Sequence, residues 1–247
     1  METELWPNLL ALAQRKKIPV LLANARLSAK SAEGYSKIQG LMTPMLQALS
    51  VLAAQDQDTA QRFLDLGAPA TTVQVTGSLK FDLTLPDNLA ERALELKQQW
   101  QLDGRPIWVA ASTHDGEDEI VLAAFKHIQQ QFNQALLMLV PRHPERFDNV
   151  AELITKQGFS MARRSQQQAV TPDIEVFLAD SMGELLLWLA VADVAFVGGS
   201  LVNVGGHNPL EPAALAVPIV TGPTMFNFKQ ITEILLQAGA VKQAANS

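Results

Sequence analysis

The sequence predicts an α/β protein built from two Rossmann-like halves, and three observations carry that expectation. Near-continuous apolar runs alternate with amphipathic stretches, the pattern of parallel strands covered by helices on both faces. The alternation runs twice, before and after a charged stretch at 81–106 with prolines at 86 and 106. The stretch 180–223 joins two helix starts through a short apolar run and a glycine-rich loop. Composition agrees: 247 residues with 48% hydrophobic content suffice for globular cores throughout. Zero cysteines exclude disulfides, thiolate metal sites and a cysteine nucleophile, and fit a reducing cytosol. A net charge of −6 without a long basic run argues against nucleic-acid binding. No apolar run reaches the length needed to cross a bilayer.

The first half reads as helix 7–17, strand 18–25, a helical stretch 33–49 weakened by Gly40 and Pro44, and strand 50–55. Asp56 then caps a helix that stops at Gly67, and strand 72–76 follows. No strand precedes residue 7, so the first half is expected to begin inside a domain. The expected domains are 1–82, a linker at 83–106 with its own helix over 89–100, and 107–247. In the second half the alternation continues as strand 107–111, helix 115–130, strand 135–140, helix 144–158 and strand 174–179. It ends with helix 185–191, strand 193–197, strand 217–221, helix 228–239 and a polar, alanine-rich tail.

Chemistry is expected beyond the carboxyl ends of the strands. Ser181 and Glu184 have capping-box spacing, which places free N–H groups near 182–184. Asn208, Pro209 and Glu211 read as N-cap, first position and third position of a second helix. Two such starts around Gly198-Gly199-Ser200 and Gly205-Gly206 make a crevice suited to an anion such as phosphate. Arg142, directly after strand 135–140, is a candidate bidentate cation, with a surface pair to Glu145 as the plain alternative. Ser112 and Thr113 read as helix caps, because a Ser/His/Asp triad needs partners from separate elements and no G-x-S-x-G elbow is present. His207 is either a donor in the crevice or bonded to Asn208. The four histidines show no metal-ligand spacing, so no metal is expected.

METELWPN (1–8), NARLS (24–28), TGSLKFD (76–82), ASTHDGE (111–117), VPRHPERF (140–147), DSMGELLL (180–187), FVGGSLV (196–202), GGHNPLEPAA (205–214) and TGPTMFNF (221–228) run through the chain in order. Together they resemble the 3-deoxy-D-manno-octulosonic acid (Kdo) transferases of lipopolysaccharide synthesis. The resemblance implies a GT-B glycosyltransferase fold, two Rossmann-like domains facing across a cleft. It also implies inverting, metal-independent transfer of Kdo from CMP-Kdo to lipid A precursor (lipid IVA), without a cofactor. The expected place is the cytoplasmic face of the inner membrane, with contact to the membrane surface. Carried over residue by residue, it implies that Pro141, Arg142, Met182, Gly183, Glu184, Asn208, Pro209, Leu210 and Glu211 bind CMP, with Glu211 on the ribose. Glu2 and Lys80 match positions that stabilise the transition state.

The family pattern also places a membrane anchor and an S-V-G-E motif, carrying the general-base glutamate, ahead of METELWPN, and further helices after the last match. No stretch of the 247 residues matches S-V-G-E. The chain is therefore expected to correspond to a middle-to-C-terminal part of such an enzyme, with an incomplete first domain. Impaired transfer with retained CMP or CMP-Kdo binding is the alternative expectation.

Overall fold

The computed structural model of the chain describes residues 5–244. Two compact units emerge, Met1–Leu83 and Thr84–Ser247. In the first, strands β1 (Leu21–Ala25), β2 (Val51–Ala54) and β3 (Val73–Val75) form a parallel sheet in that order. Around it lie helices α1 (Pro7–Arg15), α2 (Ala29–Ser36), α3 (Gln39–Gln47) and α4 (Gln57–Asp65). Leu22, Ala25, Leu52 and Ala54 meet Leu10, Met45, Leu46 and Phe63 in one core. Asp56 caps α4 by accepting from the Thr59 N–H at 2.6 Å, and Gly67, at φ 98°, follows its end. The helix expected over 33–49 is two helices, broken at 37–38 rather than at Gly40 or Pro44. Pro44 stays inside α3 although its missing N–H leaves one helical bond unmade.

The second unit begins with α5 (Leu89–Gln99), which corrects the expectation of a linker over 83–106. Leu89, Ala93, Trp100 and Leu102 are buried in the core of this unit. Trp100 stacks on Trp188 with ring centres 6.1 Å apart, and both meet Phe177 edge-on. Strands follow as β4 (Ile107–Thr113), β5 (Leu136–Pro141), β6 (Met161–Arg163), β7 (Val176–Leu178), β8 (Val194–Val197), β9 (Ile219–Thr221) and β10 (Val241–Gln243). Between them lie α6 (Glu117–Gln129), α7 (Phe147–Lys156), α8 (Leu185–Ala190), α9 (Leu210–Ala214) and α10 (Lys229–Gln237). All strands run parallel in the order β10-β9-β8-β4-β5-β7-β6. Strands β6 and β10 fall where no strand was expected, the latter inside the supposed polar tail.

The sheet shows why its strands read as unbroken apolar runs. Ile107, Val109 and Ala111 join Leu136, Met138 and Val140 on one face. Ala110, Leu137, Leu139 and Phe196 join Phe125 and Ile154 on the other. Period-two alternation sends neighbours to opposite faces, and both faces are covered, so no polar position interrupts the run.

Candidate functional site

Strand order in the second unit reverses at β4, which pairs with β5 on one side and β8 on the other. A crevice beyond the carboxyl ends of the strands is expected at such a reversal. A pocket of about 360 Å³ lies there, with Pro141 and Arg142 on one wall and Ser181, Met182 and Gly183 on a second. His207, Asn208 and Glu211 form the third wall, and Ser112, Val140, Leu185 and Phe228 complete the lining.

The floor is set by a close approach of two strand ends. Ser112 has φ 57° at an irregularity in the β4–β5 pairing, and its carbonyl turns toward Gly198. A Cβ on Gly198 would stand 2.4 Å from that oxygen, so only glycine fits. Ser112 and Thr113 thus end β4 and do not cap α6, contrary to the sequence expectation; Gly116, at φ 85°, precedes the helix instead.

Buried between these strand ends is Glu117, with 0% exposure. Its Oε1 accepts from the Ser200 and Leu201 N–H groups at 3.0 and 2.9 Å. Its Oε2 accepts from Gly199 at 2.6 Å and His114 at 2.9 Å. The glycine loop therefore aims its N–H groups at an internal carboxylate, which corrects the expectation that 198–200 offers backbone to a ligand. Sequence reading missed this role, although an acidic residue three after His114 is a capping-box spacing. Next to it, buried Asp118 pairs with Arg146, whose Nη1 also donates to the Thr113 carbonyl at 2.9 Å. Burial pushes the Asp118 carboxyl above its usual range, with Arg146 pulling the other way.

Both helix starts differ from expectation. Ser181 donates its hydroxyl to the Glu184 carboxylate at 2.5 Å, and Gly183, at φ 82°, turns the chain so that α8 opens only at Leu185. Arg164 holds the same carboxylate with two bonds of 2.9 and 2.8 Å, keeping Glu184 below its usual range. Asn208 accepts from the Leu210 N–H at 3.1 Å, so α9 starts at Leu210 with Pro209 in the cap position. With 6 and 5 residues, α8 and α9 carry small dipoles, so attraction for an anion falls to side chains.

Those side chains converge. Among the described residues the Arg142 guanidinium has no ion pair; Glu145 instead lies 3.8 Å from His143. Burial raises the Glu211 carboxyl, opposed by a hydrogen bond to Asn208 and by the charge of Arg142. Of the two alternatives for His207, the crevice holds: it lines the pocket and bonds to His114 across 2.7 Å rather than to Asn208. Of the expected ligand contacts, Pro141, Arg142, Met182, Gly183, Asn208 and Glu211 line one pocket. Glu184, Pro209 and Leu210 adjoin it in sequence without lining it. Lys80 belongs to the first unit, in a short turn (Leu79–Phe81) that Asn24 tethers by accepting from the Leu79 N–H at 3.1 Å. Glu2 lies outside the described residues. Among those residues no group of three or more His, Asp or Glu side chains could hold a metal ion, and no helix is long and apolar enough to cross a membrane.

Comparison with known proteins points one way. A family model described as 3-deoxy-D-manno-octulosonic-acid transferase matches residues 1–83. The chain is 47% identical over 241 residues to a 3-deoxy-D-manno-octulosonic acid transferase of Haemophilus influenzae, covering 98% of this chain and 56% of that protein. It is 38% identical over 252 residues to the transferase of the same name from Bordetella pertussis, covering 100% of this chain and 58% of that one. The chain thus spans little more than half the length of these relatives. The crystal structure of the C-terminal CMP-Kdo binding domain of WaaA from Acinetobacter baumannii is 43% identical with a TM-score of 0.62, covering 64% of this chain and 82% of that one. UDP-GlcNAc 2-epimerase from Methanocaldococcus jannaschii, at 16% identity and a TM-score of 0.60, covers 96% of this chain and 62% of its own, a likeness of fold alone.

Proposed function

The chain belongs to the 3-deoxy-D-manno-octulosonic acid (Kdo) transferase family, with the α/β architecture of GT-B glycosyltransferases, and from that premise we propose that its second unit binds CMP-Kdo as donor for Kdo transfer. The observation that supports this most is Arg142, whose guanidinium makes no ion pair among the described residues and lines the same pocket as Glu211 and Asn208. A nucleoside monophosphate satisfies both ends: phosphate oxygens accept from the guanidinium, and the ribose hydroxyls donate to the half-buried carboxylate. Pro141, Met182 and Gly183 pack beside the nucleotide, with backbone from the turn at 182–184. Glu184 acts through Arg164 and Ser181, holding that turn in shape; Pro209 and Leu210 fix the start of the helix that carries Glu211.

The acceptor is lipid A precursor, lipid IVA, and transfer inverts the anomeric centre without a metal ion or cofactor, at the cytoplasmic face of the inner membrane. Lys80 and Glu2 stabilise charge in the transition state. No nucleic acid is involved. A second reading, binding of CMP-Kdo without transfer by these 247 residues, is favoured by the absence of any S-V-G-E stretch among them.

Calorimetric titration with CMP tests the donor site. Saturable binding is expected, weakened roughly 10- to 100-fold in Arg142→Ala and in Glu211→Ala, as for loss of a charged hydrogen bond. No binding by a folded chain would sink the assignment. Addition of CMP-Kdo and lipid IVA then separates the two readings by whether glycosylated lipid forms.

A further inference from the structure

At the third wall of the pocket stands a pair of imidazoles that nucleotide contact alone leaves unexplained. His207, on the loop after β8, lines the pocket, and its Nε2 lies 2.7 Å from the Nε2 of His114, on the loop after β4. The rings are nearly parallel, 9° apart, with centres separated by 5.0 Å. His143 meets His114 edge-on at 5.2 Å. At hydrogen-bond distance one Nε2 carries a proton and the other accepts it, because two N–H groups cannot face each other so closely. The pair is then either neutral or shares one positive charge. With Nε2 turned to His114, the ring nitrogen of His207 left for a ligand is Nδ1.

The surroundings decide which state holds. Arg142 and His143 lie after β5, Arg146 just beyond them, Glu117 at the start of α6, and Glu211 on α9 in the same pocket. Burial first, and then His114, Arg142 and His143, hold His207 down to about 4. Burial also lowers His114, with Glu117 pulling it up and His143, Arg146 and Arg142 pushing it further down. Without ligand at neutral pH the pair is uncharged. A phosphate seated on Arg142 cancels that repulsion and sets a negative charge beside His207. Once His207 Nδ1–H donates to a phosphate oxygen, its Nε2 must accept from His114. A further proton on His114 Nδ1 then makes the pair cationic.

Resting on the nucleotide reading of the pocket, we infer that His207 and His114 form a loadable cation, which takes up one proton when a nucleoside monophosphate binds beside Arg142, His207 touching the ligand and His114 positioning it. The chemistry gives this charge a use. In transfer from a nucleotide sugar, the bond between the anomeric carbon and the phosphate oxygen breaks with both electrons left on oxygen. The phosphate gains one negative charge at that step. The proton drawn from solvent on binding meets it, and leaves again with the nucleotide.

Calorimetric titration of the 247-residue chain with CMP, in buffers of differing ionisation enthalpy, counts the protons taken up. The wild type is expected to take up as much as about one proton more than His207→Gln or His114→Gln near neutral pH. Its affinity relative to those variants should rise by up to about tenfold per pH unit as pH falls from about 8 toward 6, because a group whose bound-state pKa is raised binds its proton with the ligand. Titration of CMP itself is common to all and cancels. Equal proton counts with CMP still bound would overturn the loadable pair and leave the nucleotide pocket standing. No CMP binding by a folded wild-type chain would overturn both. Should the variants not fold, NMR titration of the ring resonances in the wild type decides: midpoints raised by CMP support the pair, and unmoved midpoints overturn it.

Discussion

Two consecutive buried carboxylates at the start of α6 show how much a single residue can organise. Glu117 gathers N–H groups from His114 and from 199–201, whereas Asp118 pairs with Arg146. Glu117→Gln keeps the volume but turns an amide toward N–H donors. A loss of about 2–3 kcal/mol in urea unfolding is expected, since at least one buried donor is left unsatisfied. CMP affinity should fall with it, because Gly199 and Ser200 lead into the loop that carries His207 and Asn208. Asp180 works at the other wall. Burial pushes its carboxyl up, but the Ser165 hydroxyl and N–H and the Arg163 guanidinium outweigh this and hold it below the usual range. A lowered carboxylate contributes stability that is complete above its unfolded value and lost as pH falls through the native one. Urea midpoints should therefore drop below about pH 4, and Asp180→Asn should flatten that slope. These roles were not legible in sequence: Glu117 reads as an ordinary first-turn acid, and its loop partners lie 82 to 84 positions away.

At the scale of elements, the long strands were readable because burial on both faces leaves an unbroken apolar run, as in β4 and β5. Strands β6 and β10 were not, being three residues each at the sheet edges, with Arg163, Lys242 and Gln243 among them. Short edge strands owe their pairing to the neighbour, not to their own pattern. Helix α5 was legible as a helix but not as part of the second core, because its partners Phe177 and Trp188 lie far along the chain. The tight seam between the ends of β4 and β8 makes a sharp prediction. Gly198→Ala puts a methyl group against the rigid Ser112 carbonyl, and a thermal melting temperature lowered by several degrees, or failure to fold, is expected. Gly77→Ala, at a glycine with nothing within 4 Å of an added Cβ, is the control and should cost only the strain of its positive φ.

For the whole molecule, the two units differ in what they can do alone. Three core clusters lie within the second unit, and all residues lining the proposed nucleotide pocket come from it. Residues 84–247 expressed alone are expected to unfold cooperatively and to bind CMP within a few-fold of the 247-residue chain. Calorimetry and urea titration check this; loss of binding by a folded 84–247 chain would place part of the site elsewhere. Residues 1–83 rest on a three-stranded sheet, with Leu9, Leu12 and Leu21 exposed, and should unfold at lower urea. The doubled alternation suggested two units, but the reading began the second at 107 after a linker over 83–106, whereas the second compact unit begins at Thr84.

The internal carboxylate at position 117 has a consequence for change over generations. Because the glycine loop is neutralised from within, its backbone is a finished chassis that does not depend on what occupies the crevice. On the proposed reading, the charged and polar contacts to a nucleotide rest on a few replaceable side chains at positions 142, 207, 208 and 211. A new nucleotide preference can then arise by swapping those side chains, while the scaffold beneath them inherits its shape intact.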